Sequence, residues 1–276
     1  SIPYIDPEQP EEASYNPSVS ALNLDFNRVL FAWERGTGGY ELSMEARGAR
    51  SRTAAQRVAI GLGAPARGAF ERRDEPAREV WTVASGALGK DGQRWLPVRR
   101  PALHAAEVFR SFAAGAGLDL PAPETGAAPG GGVTLALRRS RELAPIVQDM
   151  LKYSTNLTAE VAGLSATAAR GVQPATLADS ADEMSRWAHD ALGAGHAALV
   201  DHSGLSDASR VSARDMVDAL LAARRIGTLP GLLKNMPMRD EAGNVMPDHP
   251  VTIRAKTGTL NFVSALAGYV SVAGGR

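Results

Sequence analysis

The sequence contains no cysteine. Thiol nucleophiles, disulfides and thiolate-bound metals are thereby excluded, and the redox compartment is left open. It also has no net charge, since 30 Lys and Arg balance 30 Asp and Glu. No global field therefore directs it to nucleic acid or to an anionic membrane, although a local positive site for a small anion remains compatible with neutrality. No apolar run reaches the length of a membrane span. The opening Ser1-Ile2-Pro3-Tyr4 has neither the basic region nor the apolar stretch of a signal peptide. The first residue is not methionine, and the apolar alternation at the far end runs on to Arg276 without a stop signal. Both ends are expected to be cut from a longer chain.

Other signatures are missing too. The five histidines (His104, His189, His196, His202 and His249) have no zinc-ligand spacing. Gly61-Leu62-Gly63 lacks the third glycine of a dinucleotide loop, and Gly86-Ala87-Leu88-Gly89-Lys90 lacks the spacing of a phosphate loop. No repeat at a fixed period is present.

What is there suffices for one large domain or two ordinary ones: 276 residues, 44% of them apolar. The first third reads as strand and turn. Residues 19–24 alternate, residues 29–33 form a short apolar run, and Gly36-Thr37-Gly38-Gly39 marks a turn before a further strand at residues 80–83. Residues 43–79 have weak periodicity. Residues 101–115 read as a helix whose apolar stripe is Leu103, Ala106, Val108, Phe109 and Phe112. Residues 121–132, rich in Pro and Gly, are the clearest linker. They divide an expected region 1–128 from a second, 129–276.

Helical signals strengthen after the linker. Ser140 is placed to cap a helix carrying Leu143, Ile146, Val147, Met150 and Leu151, with Pro145 in its first turn. A break at Ser154-Thr155-Asn156 precedes a second helix, with Glu160 in its first turn and Val161, Leu164 and Ala168 on its apolar face. Residues 182–192 and 212–226 are two more amphipathic helices, the last with Ser212 and Asp215 spaced as a capping box and Gly227 at its end. Residues 251–256 alternate as a strand, and residues 264–270 are its expected neighbour.

Two short motifs can carry chemistry. Ser154-Thr155-Asn156 reads, taken alone, as an N-cap. Its functional reading is a hydroxyl able to relay a proton and an amide able to bind a peptide's carbonyl and N–H. Lys256-Thr257-Gly258 reads either as a protective charge on an edge strand or as a substrate site. In the second reading the ammonium offsets an anionic substrate, and the Thr257 hydroxyl binds a carboxylate. Gly258 leaves room for an extended substrate, and the Thr259 N–H points to where an oxyanion forms. The two motifs stand in the order found in penicillin-binding proteins and serine β-lactamases, where S-x-x-K comes first.

Longer matches flank them. Tyr15-Asn16-Pro17-Ser18-Val19-Ser20-Ala21-Leu22-Asn23-Leu24, Trp81-Thr82-Val83-Ala84-Ser85-Gly86 and Leu96-Pro97-Val98 cover the first half. Met150-Leu151-Lys152-Tyr153-Ser154-Thr155-Asn156, Asp201-His202-Ser203-Gly204-Leu205-Ser206 and Ala255-Lys256-Thr257-Gly258-Thr259-Leu260 cover the second. With these the chain resembles the low-molecular-mass penicillin-binding proteins that are D-alanyl-D-alanine carboxypeptidases and endopeptidases, of the kind with inserted domains. His202 replaces the glycine usual in the family's D-G-S-G-L-S segment.

The resemblance implies an α+β multidomain protein. Residues 129–276 would be part of a penicillin-binding-protein/β-lactamase-like transpeptidase fold, helices plus antiparallel sheet, and residues 1–128 a strand-rich, non-catalytic insert. It implies an acyl-enzyme route in which Ser154 relays the proton, Asn156 holds the substrate backbone, Lys256 organises Ser154, and Thr257 and Thr259 bind the terminal carboxylate. It implies no metal or organic cofactor, peptidoglycan stem peptides as substrates, β-lactams as covalent inhibitors of the full-length form, no nucleic-acid partner and a periplasmic location. Carboxypeptidase and endopeptidase preference stay open, as does oligomeric state.

One family feature is missing. The four lysines, Lys90, Lys152, Lys234 and Lys256, are preceded three positions earlier by Ala87, Asp149, Gly231 and Ile253, never by serine. Either the nucleophile lies before Ser1, or the protein is a catalytically dead homologue that keeps its cleft for peptidoglycan binding. The unfinished C-terminal alternation favours the first, and these 276 residues alone are expected not to catalyse. A β-lactamase would share the motifs, but the long insert-like first half argues against it.

Overall fold

A computed structural model describes residues 1–48, 51–126, 130–261 and 263–273. The chain divides into two compact units, Ser1–Leu135 and Ala136–Arg276. The expected boundary between residues 128 and 129 lies outside the described residues, as does part of the terminal alternating segment.

In the first unit the apolar run becomes β1 (Arg28–Gly36), which turns through Thr37-Gly38 into β2 (Gly39–Arg47), with Gly36 facing Gly39 across the hairpin. Short strands β3 (Arg52–Ala54), β4 (Val58–Leu62), β5 (Phe70–Asp74), β6 (Glu79–Val83) and β7 (Asp91–Pro97) follow, then helix α1 (Pro101–Gly115). They form two sheets, ordered β3-β2-β1-β7 and β4-β6-β5. All pairings are antiparallel except β4 with β6. Val29, Phe31, Met44, Val58, Phe70, Trp81, Val83 and Leu96 from these strands, Val98 just after β7 and Val108 from α1 fill one core. Phe31 and Trp81 are fully buried, each contributing on the order of 2–3 kcal/mol through lost apolar exposure.

Two expectations fail here for physical reasons, and one stretch left without a clear pattern proves to hold strands. Residues 19–24 form no strand beyond a single bridge from Val19 to Ile2. Side-chain amides take over the local backbone instead: Asn23 Nδ2 donates to Ser20 O (2.6 Å), and Asn27 Nδ2 to Ser18 O (2.8 Å) and to Asn23 Oδ1 (2.6 Å). Residues 43–79, without clear periodicity, hold the end of β2 and the short strands β3, β4 and β5, and β5 is rich in charge, with Glu71, Arg72, Arg73 and Asp74. In α1 the buried residues are Pro101, His104, Glu107, Val108 and Ala113, while Phe109 is exposed. The buried stripe therefore runs through polar residues that a hydrophobic count passes over.

The second unit contains α2 (Leu143–Tyr153), α3 (Asn156–Ala169), α4 (Leu177–Trp187) with a π-helical turn at Ala188–Leu192, α5 (Ala213–Ile226) and the single turn α6 (Leu229–Leu232). Strands β8 (Lys234–Met236), β9 (Val251–Leu260) and β10 (Val263–Val272) form an antiparallel sheet ordered β10-β9-β8. The α5 capping box of Ser212 and Asp215 forms, and Gly227 ends the helix in the left-handed conformation. Ser140 does not cap α2; Glu142 stands at its N-cap without a side-chain bond, and Pro145 lies in the first turn. The buried stripe of α3 is Leu157, Glu160, Gly163 and Thr167 rather than the face of Val161, Leu164 and Ala168. Helix α3 opens at Asn156, so Glu160 falls in its second turn, inside the unit, instead of complementing the helix dipole from solvent.

Candidate active site

Ser154 ends α2. Its backbone is left-handed (φ 54°, ψ 53°), and its N–H donates to Met150 O. Few non-glycine residues adopt this conformation, and it tends to persist where the surroundings enforce it. Thr155 is extended and occupies the N-cap of α3, but its side chain makes no capping bond. The local N-cap reading of the motif is therefore overturned: Ser154 closes the preceding helix, and its hydroxyl is free of capping duty. Asn156 is the first residue of α3.

Lys256 comes from the opposite direction, on β9. Its Nζ donates to Ser154 Oγ at 2.6 Å, across 102 positions of sequence, and also to its neighbour's carbonyl, Thr257 O. Burial, and secondarily the Lys234 ammonium, lower the pKa of Lys256 from its ordinary value. A lowered ammonium pKa eases proton exchange with a neighbouring hydroxyl. Lys234 had no role in the sequence reading beyond the count of lysines, because it belongs to no motif; it arrives through the pairing of β8 with β9, where it faces Ala255.

The sheet gives Lys256 and its successors an open side. Strand β8 pairs with β9 only from Ile253 to Ala255. From Lys256 to Leu260, β9 pairs with β10 alone among the described residues. Thr257, Gly258 and Thr259 are all exposed. A Cβ on Gly258 would meet only Ala265 Cβ, at 3.8 Å, so packing inside the unit does not require glycine there. Gly268 differs: opposite Ala255, its added Cβ would lie 2.1 Å from Arg254 O. The closeness of β10 to the start of the Lys256 segment thus depends on a glycine that the motif reading did not single out.

Behind the first turn of α3 lies a polar cluster that the sequence reading missed. Glu160 Oε2 and Oε1 accept the backbone N–H groups of His202 (3.1 Å) and Ser203 (2.9 Å). Burial outweighs these donors and pushes Glu160 up to about 7. Asp201 accepts from Gly204 N (2.6 Å) and Ser206 N (2.7 Å), folding the Asp201-to-Ser206 loop on itself. Among the described residues no three His, Asp or Glu side chains gather as a metal site, and no helix is long and apolar enough to cross a membrane.

A hydroxyl and an ammonium in contact beside an open strand edge are suited to move a proton next to an extended, anionic peptide. The profile of the D-Ala-D-Ala carboxypeptidase 3 (S13) family matches residues 6–276. The chain belongs to that family. It is 31% identical over 191 residues to carboxypeptidase Rv3627c of Mycobacterium tuberculosis, an overlap covering 64% of this chain and 40% of that protein. Its fold is that of penicillin-binding protein 4 (dacB) of Haemophilus influenzae. The crystal structure of that protein with a β-lactam superposes with a TM-score of 0.70 at 18% identity, over 90% of this chain and 60% of the other. A second crystal structure of it gives 0.66 at 19% identity, over 93% and 59%. The chain thus spans well under two thirds of the length of each relative.

Proposed function

We propose that this S13 chain is the accessory and substrate-binding side of a serine-type D-Ala-D-Ala carboxypeptidase or endopeptidase acting on peptidoglycan stem peptides. The observation that carries the reading is the 2.6 Å bond from Lys256 Nζ to Ser154 Oγ, which joins two motifs far apart in sequence. Family membership supports the reaction class.

In this reading the nucleophilic serine comes from outside these 276 residues, in keeping with the four lysines that no serine precedes at the S-x-x-K spacing. Its oxygen bonds to the D-Ala-D-Ala carbonyl carbon, the peptide C–N bond breaks, and the proton reaches the departing amine through Ser154. Water then cleaves the ester. Asn156 binds the substrate backbone at the start of α3. Lys256 holds the Ser154 hydroxyl and supplies positive potential, to which Lys234 adds. Thr257 and Thr259 take the terminal carboxylate along the part of β9 that β8 leaves unpaired, and the absent side chain at Gly258 lets an extended peptide lie close. A periplasmic site of action and covalent capture by β-lactams belong to the same reading.

A fluorescent penicillin tests it. The full-length protein is expected to become covalently labelled, and Lys256→Ala to slow labelling about 100-fold or more, the scale of losing one preorganised electrostatic contact. Full-length protein that gains no penicillin mass, yet binds stem peptides reversibly, would instead be a binding homologue.

A further inference from the structure

The first turn of α3 has no side-chain cap. Thr155 caps without a side-chain bond, the turn has no acidic residue, and Ser154 before it is in a left-handed conformation that depends on its surroundings. Packing along the helix therefore contributes to where Asn156 stands. That stripe is unusual: after Leu157 come Glu160, Gly163 and Thr167, each meeting the Asp201-to-Ser206 loop or a side chain bonded to it.

Three contacts form the grip. Glu160, fully buried, takes two consecutive N–H groups of the loop, one on each carboxylate oxygen. The His202 ring lies against Gly163 so closely that a Cβ there would stand 2.2 Å from its Cγ and Nδ1. The same ring meets Ser180 Oγ through Nε2 (2.8 Å), and Ser180 meets Thr167 Oγ1 (2.7 Å). His202 stands where the family segment usually has glycine, so a ring fills a notch that Gly163 leaves open.

We propose that Glu160 is a positioning residue of the acyl-transfer site. Gripping the loop, it fixes the rotation of α3 and hence the direction of the Asn156 amide and, through Thr155, of the Ser154 hydroxyl. Asn156 and Glu160 lie one turn apart on the same side of the helix, so a rotation that breaks one set of contacts displaces the other. A buried carboxylate is a costly way to fill a core. Its fit to this place is that it accepts two donors aimed from one direction, which an amide cannot do without turning an N–H against one of them. The inference rests on the function proposed above.

The test uses the full-length protein, with the acylation rate at saturating fluorescent penicillin and amide hydrogen exchange at His202, Ser203 and the first turn of α3 as readouts. Glu160→Gln is expected to speed exchange at both places and to slow acylation about 10- to 100-fold, as sub-ångström to ångström misplacement does. Gly163→Ala, which pushes the His202 ring off the helix, is expected to slow acylation similarly. Adding His202→Gly to it is expected to restore most of the rate, a rescue that a general loss of stability would not show.

The outcomes separate. Wild type that is never labelled overturns the functional reading and this inference with it. Labelled wild type, with Glu160→Gln loosened at residues 202 and 203 yet acylating at the wild-type rate, overturns the inference alone. If Glu160→Gln does not fold, the glycine–histidine pair decides: a slowed Gly163→Ala that His202→Gly fails to rescue also overturns it.

Discussion

Each unit of the chain contains one buried glutamate that holds two successive backbone N–H groups. In the first unit Glu79 accepts from Arg99 (2.9 and 3.0 Å) and Arg100 (2.7 Å). In the second, Glu160 accepts from His202 and Ser203. Burial raises both carboxyls above their ordinary value, and in both the backbone donors work against it. The surroundings differ. Glu79 also feels the lowering influence of the Arg72 guanidinium, set against the Asp74 carboxylate, which raises it. The segment it grips goes on to anchor the N-terminal residues, with the Arg99 guanidinium donating to Pro3 O, Glu11 O and Asn16 O. Among the described residues no cation plays that part for Glu160; its charged neighbour is Asp201, which pushes the same way as burial. One device thus serves two purposes: in the first unit it staples the segment from Pro3 to Asn16, and in the second it sits one helical turn from a reactive hydroxyl's neighbour.

The largest expected effect is at Glu79. Glu79→Ala leaves the N–H groups of Arg99 and Arg100 without their charged acceptor, and should cost about 3 kcal/mol or more of unfolding free energy. Chemical denaturation measures it. Penicillin acylation per folded molecule should stay at the wild-type level, because Glu79 lies in a unit apart from Ser154 and Lys256. A fall in acylation as large as that of Glu160→Gln would erase the distinction between the two glutamates.

A smaller effect comes from the titration of Glu160. Its folded pKa of about 7 lies above the ordinary 4.5. A raised carboxyl binds its proton more tightly in the folded state, so its contribution to stability is complete below about pH 4.5 and is lost as the pH climbs through about 7. The slope is at most about 1.4 kcal/mol per pH unit in that window. Denaturant titrations at pH 5 and pH 8 should show wild type losing this increment and Glu160→Gln not losing it. An equal loss in both proteins would assign the slope to another group.

The same comparison shows what was legible in the sequence. Ser154 and Lys256 could be paired from motif order alone, since both belong to short strings whose chemistry is read residue by residue. The helix pattern around them was legible because the α5 capping box and Gly227 are local signals. Glu160 was not, because a glutamate near a helix start is ordinarily a solvent-facing charge, and its two donors come from 42 and 43 residues away. His202 was visible as a departure from the family segment, but the Gly163 notch that receives it exists only after folding. In the first unit the alternation of residues 19–24 pointed to a strand, and the amides of Asn23 and Asn27 outbid it. The misplaced stripes of α1 and α3 share a cause: each buries glutamate, and α1 a histidine as well, which a hydrophobic period does not count.

The smallest expected effect has the opposite sign for stability and for reaction. Ser154 holds a left-handed backbone (φ 54°) that costs a side-chain-bearing residue roughly 1–2 kcal/mol. Glycine escapes that cost but brings extra freedom to the unfolded chain, which returns about 0.5–1 kcal/mol of it. Ser154→Gly should therefore stabilise the second unit slightly, by up to about 1 kcal/mol, read as a small rise in denaturation midpoint. It also removes the hydroxyl that Lys256 Nζ reaches, so labelling of the full-length protein by penicillin should collapse. Ser154→Ala loses the hydroxyl while keeping the strain, and should match the loss of labelling without the gain in stability. The first unit offers the control: Phe26 is also left-handed (φ 58°), yet beside it Asn27 secures the turn through its own amide. If Ser154→Gly instead destabilises the protein, the Lys256–Ser154 bond contributes more to holding the fold than the strain takes away, and Ser154 would stand closer to Glu79 than to Glu160 in what it does.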